Sequence, residues 1–300
     1  MGTVSKLLGV DIASVTGLNG KAIADVATIL GQTVDTESYL LDDYGDDIEG
    51  AYSMRILKAD YTGYCMKVRN ENSGVETEIG FVDAYVNTAA IEAAADDGGT
   101  DYNVRLIKWY DQSGNGRDFS RAYDASCPLV FDGSALITLS TGKQALEAEN
   151  NGWLPTNAGA AFSIDGAGTS IFNLQEWATN WQSWIYATGG TGTVWADAGY
   201  GYVRGNAGTL VQITSGRPAE AASGIILGQV IFNGASSAVY ENGSGGLISG
   251  DMGSNDADSL FLLRGMKNGH RASEILIYSA EKSSDRVGIR DNINDYWEMY

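Results

Sequence analysis

Apolar positions along most of the chain fall in short runs that end at Gly, Asn, Asp or Ser, and several alternate with polar positions. Alternation with a period of two is the mark of a half-buried β-strand. Ala51-Tyr-Ser-Met-Arg-Ile-Leu57 is one such run, ended by the turn Asp60-Tyr-Thr-Gly63. Cys65-Met-Lys-Val-Arg69 and Glu76-Thr-Glu-Ile-Gly-Phe-Val82 flank Asn70-Glu-Asn-Ser-Gly74, which predicts a hairpin. Val104 to Tyr110 is another strand. Further runs at 170–174, 183–187, 193–195, 201–204, 210–213, 225–232 and 237–241 are separated by Gly, Asn and Ser turns. Asn242-Gly243 suits the positive φ angles of a two-residue turn. In Ala272-Ser-Glu-Ile-Leu-Ile-Tyr278, Ile275 and Ile277 are expected to bury one face while Glu274 and Tyr278 show the other. Thr88 to Ala95 reads as a short helix stopped by Asp96-Asp-Gly-Gly99. A second helix closes the chain, capped by Ser283 or Ser284, with Asp285 in its first turn.

Many short strands with little helix predict a mainly β chain, a jelly-roll sandwich extending from residue 35 to residue 300. Residues 1–34 are different. They hold no aromatic residue and echo themselves at an offset of eleven, Ile12-Ala-Ser-Val against Ile23-Ala-Asp-Val. Such a segment has little core of its own and reads either as an extended attachment segment ordered by docking or as a plain flexible leader.

Composition fits that division. The chain is 44% hydrophobic, enough for a substantial core, and its 39 glycines against 3 prolines suit many turns. Nineteen basic and 38 acidic residues leave a formal charge of −19, with no Lys/Arg cluster. A nucleic-acid binder needs a basic footprint, so nucleic acid and an anionic membrane are poor partners, and neither nucleic-acid binding nor membrane insertion is expected. No apolar stretch reaches the roughly 18–20 residues of a membrane span. The start lacks the pattern of a signal peptide, so a route other than an encoded signal is expected. Cys65 and Cys127 stand apart with no C-x-x-C spacing, which leaves one disulfide or two free thiols open.

Two block sets carry a family resemblance. Val239-Tyr-Glu-Asn-Gly243, Leu260-Phe-Leu-Leu263, Ala272 to Ser279 and the Ser284-Asp-Arg286 helix resemble the end of a laminin-G or concanavalin A-like domain. Ala51 to Leu57, Met66-Lys-Val-Arg69, Ile79-Gly-Phe81 and Trp109-Tyr-Asp-Gln-Ser-Gly-Asn-Gly-Arg-Asp118 resemble the catalytic-domain fold of α-L-arabinofuranosidase B. They also resemble phage virion proteins that share those blocks, as do the Ile-Ala-x-Val leader and Asn292-Ile-Asn-Asp-Tyr-Trp297. The resemblance implies a concanavalin A-like sandwich on a virion surface, assembled in the host cytoplasm. It further implies a homo-oligomer whose residues 1–34 bind other virion proteins and whose sandwich meets a host glycan.

The matching blocks are scaffold blocks, and function has to be argued from a site. A retaining glycosidase needs two carboxyls about 5–5.5 Å apart. The middle of the chain offers only Glu176 and Asp197 as a pair to try, beside Asp165 and Glu220. Catalysis is therefore not expected. Saccharide faces stack on indole, which makes Trp109, Trp181, Trp184 and Trp195 candidate ligand residues, with core packing as the competing role. Asp111 joins them, with loop fixation through backbone N–H bonds as the competing role. Asp251, Asp256 and Asp258 have the ligand type of a Ca²⁺ loop without EF-hand spacing, so no cofactor is required. His270 is the only histidine, which excludes a multi-histidine metal site in one chain. The sequence thus points to a phage virion surface protein, in tail or capsid, that displays a glycan-binding sandwich. The alternatives are an arabinofuranosidase-type hydrolase and a ligand-free decoration protein.

Overall fold

A computed structural model describes residues 6–7, 10–11, 39–148, 154–155, 164–176, 182–189, 192–199, 202–213, 224–242, 245–257, 259–264 and 269–300. The chain divides into two compact units, Met1–Ser38 and Tyr39–Tyr300. In the first, Lys6–Leu7 and Val10–Asp11 pair as antiparallel strands.

The second unit is an antiparallel β-sandwich. Its principal strands are β1 (Ile48–Ser53), β2 (Met66–Asn70), β3 (Glu76–Ile79), β4 (Asn103–Trp109), β5 (Leu129–Asp132) and β6 (Leu146–Glu147). They are followed by β7 (Leu154–Pro155), β8 (Ser170–Glu176), β9 (Gln182–Gly189), β10 (Gly192–Gly199), β11 (Tyr202–Asn206) and β12 (Leu210–Ile213). The last are β13 (Ile225–Ile231), β14 (Ser237–Glu241), β15 (Gly245–Gly250), β16 (Ser259–Arg264) and β17 (Arg271–Tyr278). A twelve-stranded sheet runs β15-β14-β13-β8-β17-β6-β5-β4-β2-β3, with β1 also on β17 and Phe119–Ser120 on β4. A six-stranded sheet runs β7-β16-β9-β10-β11-β12. The smaller sheet packs through β10, β11 and β12 on β13, β14 and β15.

Close packing of the sheets depends on one glycine. A Cβ at Gly205 in β11 would lie 2.4 Å from Val230 Cγ1 in β13 and 2.8 Å from Met252 Sδ. A residue without a side chain at this position leaves the room that the Val230 and Met252 side chains fill. Elsewhere the large sheet is covered by helices. Helix α1 spans Leu40–Tyr44, and α2 (Thr88–Ala95) packs on β2 and β4. Helix α3 (Arg286–Trp297) buries Ile289, Ile293 and Trp297. The α2 bounds match the sequence pattern, and Asn87 caps it by accepting from Ala90 N at 3.1 Å.

Two local expectations are corrected. Helix α3 is preceded by Asp285 at its N-cap, one residue beyond the expected serine, and that cap makes no side-chain bond. Ser284 Oγ instead donates to Asp285 Oδ1. Of the expected Asn242-Gly243 turn, Gly243 lies outside the described residues, and the β14–β15 pairing reaches Glu241 and Gly245. Asn242 does take the positive φ expected there, at 48°. The larger correction concerns β17. Glu274 and Tyr278, expected to face solvent, are 1% and 0% exposed. The strand is central, with β8 on one side and β6 and β1 sharing the other, and α3 covers its second face. Alternation read from sequence cannot distinguish a solvent-facing polar row from one buried beneath a helix.

Cys65 and Cys127 are both free and buried. Burial pushes the Cys65 thiol well above its ordinary range and raises that of Cys127 as well.

Candidate functional site

The sequence candidates separate into scaffold, sheet-end and loop positions. Trp109 is completely buried, 5.8 Å from the Tyr52 ring, so its indole offers no face to a ligand. Asp111, 6% exposed, fixes the loop that follows it. Its Oδ1 accepts from Ala51 N at 3.0 Å and Ser113 N at 2.9 Å. Its Oδ2 accepts from Ser113 Oγ at 2.7 Å and Arg117 N at 3.0 Å. The neighbouring Gln112 accepts from Leu57 N and donates to Ser53 O and Arg55 O. The most specific sequence block thus ties β1 to the 110–118 loop.

Glu176 ends β8. Its carboxylate accepts from Ser140 N at 2.9 Å and lies 3.8 Å from Arg271 Nη1, and Arg271 Nε is 3.0 Å from Glu147. Asp197 stands on the other sheet, in register between Trp184 and Arg204. Its neighbour Ala196 is 2% exposed, in the row with Gly205 and Val211 that packs on the large sheet. The side chain of Asp197 lies outside the described residues. Trp195 lies in β10, in register with Tyr186, while Trp181 lies outside the described residues.

The aspartate loop is held by its backbone. Ala207 N and Thr209 N donate to Met252 O, and Asn255 N donates to Ala207 O. Asp251 Oδ1 accepts from Gly253 N at 2.8 Å. Asp256 is exposed, and Asp258 lies outside the described residues. Among the described residues, no three His, Cys, Asp or Glu side chains are grouped to hold a metal ion.

A polar row that sequence reading missed lies on the inner face of the large sheet. Ile171 pairs directly with Val230, the residue that meets Gly205 of the second sheet, so the odd positions of β8 face that sheet. Asn173 and Gln175 share this parity and are 4% and 3% exposed. Asn173 Oδ1 and Gln175 Nε2 have no hydrogen-bond partner. Asn173 is in register with Gly228 of β13, and Gly228 with Glu241 of β14. Glutamine Gln229, of opposite parity, has both ends engaged: Nε2 donates to Asn242 O at 3.0 Å and Oε1 accepts from Arg286 at 3.1 Å. The strand pattern was visible in Ser170-Ile-Phe-Asn-Leu174, but only pairing and layer packing decide which residues face inward.

No protein-family model matches the chain, and no curated protein matches it in sequence. Solved structures do match in fold. One is an arabinofuranosidase complexed with arabinofuranosyl-α-1,2-xylobiose, at TM-score 0.61 and 16% identity, covering 84% of this chain and 64% of that one. A GH54 α-L-arabinofuranosidase soaked with a cyclic sulfate inhibitor gives the same values. The chain therefore spans about 64% of the length of these relatives, and at 16% identity the likeness is one of fold.

Proposed function

We propose that the unit Tyr39–Tyr300 is a saccharide-binding β-sandwich that does not hydrolyse its ligand, displayed on a phage particle through residues 1–34. The observation that carries the binding reading is the fold shared with an arabinofuranosidase complexed with a saccharide, inside which Asn173 and Gln175 form a buried, unpaired amide pair. Saccharide sites are set by a few placed polar groups, and amides both donate to and accept from hydroxyls. Against turnover stands the disposition of Glu176, whose carboxylate is engaged by Ser140 N and Arg271 on the face opposite to the inner row. The virion setting rests on the shared sequence blocks and on the distinct composition of the leader.

The test is a saccharide array probed with the full chain, run beside an assay of 4-nitrophenyl α-L-arabinofuranoside. Reproducible saccharide binding with no release of nitrophenol is the expected result. Turnover abolished by Glu176→Gln or Asp197→Asn would replace the reading with a hydrolase. An array without signal would favour a ligand-free decoration protein. For the particle setting, deletion of residues 1–34 should give a sandwich that folds but no longer joins particles, and normal incorporation would reject it.

A further inference from the structure

Most of the buried side-chain amides in this protein make structural bonds. Gln112 bonds three backbone groups, Asn70 bonds two carbonyls and two N–H groups, and Gln229 is engaged at both ends. Asn242 and Gln144 each leave one atom unpaired but use another. Asn173 and Gln175 differ: among the described residues neither side chain makes a hydrogen bond. An unpaired buried polar group is destabilising, and two adjacent ones on one face require a reason. A fold stabilised for its own sake would place apolar residues there, as it does at Ile171 on the same face.

The row they belong to has a second feature. Gly228 sits between Asn173 and Glu241 in uninterrupted register, in the middle of a fully buried strand. Glycine within a strand marks either a bulge or the close approach of another group. The pairing of β13 with β8 and with β14 shows no register shift, so no bulge accounts for this glycine, and the sheet surface beside Asn173 carries no side chain there.

We infer that Asn173 and Gln175 form a hydroxyl-recognising subsite for a neutral saccharide, at which binding is not followed by hydrolysis. The inference rests on the saccharide-binding reading and names the residues and the ligand class. Two amides supply donors and acceptors for vicinal hydroxyls, yet neither can serve as the nucleophile or the acid of glycoside cleavage. The overall charge of −19 disfavours an anionic sugar.

The experiment compares the full chain with its Asn173→Leu/Gln175→Met variant on an array of neutral pentose and hexose oligosaccharides alongside uronic- and sialic-acid oligosaccharides. These replacements are apolar and close in shape to the amides, and they remove the unpaired groups. The wild-type chain should bind neutral oligosaccharides in preference to acidic ones. The variant should melt at the same or a higher temperature and lose at least tenfold in affinity. Affinity retained within twofold, or preference for acidic sugars, overturns the inference while leaving the saccharide reading intact. A melting temperature lowered by several degrees assigns the amides a structural role and also overturns it. A wild-type chain that binds nothing on the array defeats the saccharide reading itself, and the subsite with it.

Discussion

Trp297, the last residue of the closing helix, donates its indole N–H to Glu274 in the centre of the large sheet at 3.0 Å. The same carboxylate accepts from Ser53 Oγ at 2.7 Å and from Arg55 Nε and Nη2 at 2.8 and 2.9 Å. Arg55 is stacked in turn on Tyr296, 4.7 Å from the ring centre. One buried acid thus joins β1, β17 and α3.

Breaking this node should be expensive. Removing one partner of a buried ion pair leaves an uncompensated charge and costs about 3–5 kcal/mol. Glu274→Ala is expected to lower stability by that amount in urea unfolding, and Trp297→Phe by about 1–3 kcal/mol through its lost hydrogen bond. The double change Arg55→Met/Glu274→Leu should recover much of the loss. A Glu274→Ala chain as stable as wild type would contradict the packing.

Asp111→Asn tests scaffold against ligand contact. The substitution retains an acceptor for Ala51 N and Ser113 N but turns an N–H₂ group toward Arg117 N. A cost of about 1–3 kcal/mol is expected, with saccharide affinity unchanged within twofold well below the melting temperature. Lost affinity in a fully folded variant would return Asp111 to the ligand site.

Gly205→Ala places a methyl group 2.4 Å from Val230 Cγ1. Overpacking of this kind costs about 1–3 kcal/mol. Val230→Ala in the same chain should relieve the clash, so the two changes should be non-additive in thermal unfolding. Simple additivity would place the residues out of contact.

The buried thiols should be silent in the folded state. Cys65 and Cys127 are expected to resist alkylation at neutral pH and to react after denaturation, read by mass spectrometry. The Cys65 pKa is raised in the native state, so the folded chain holds its proton where the unfolded chain loses it. The stability contributed is complete below the unfolded pKa of about 8.5 and falls as pH rises beyond it. Urea midpoints at pH 7 and pH 10 should therefore differ less for Cys65→Ala than for wild type, and an equal difference would reject the assignment.

The sequence by itself determined the strand content, the short helix Thr88–Ala95 and the hairpin at Asn70–Gly74. These are set locally, by alternation, by capping residues and by glycines in turns. Tertiary structure decided which polar residues are buried and what they do. Glu274 and Asn173 both occupy polar places in strand-like runs, and nothing local distinguishes them from surface residues. Glu274 lies under a helix that returns from the end of the chain, and Asn173 lies under a second sheet. Layers brought together by the chain's path bury both, and one finds four donors while the other finds none.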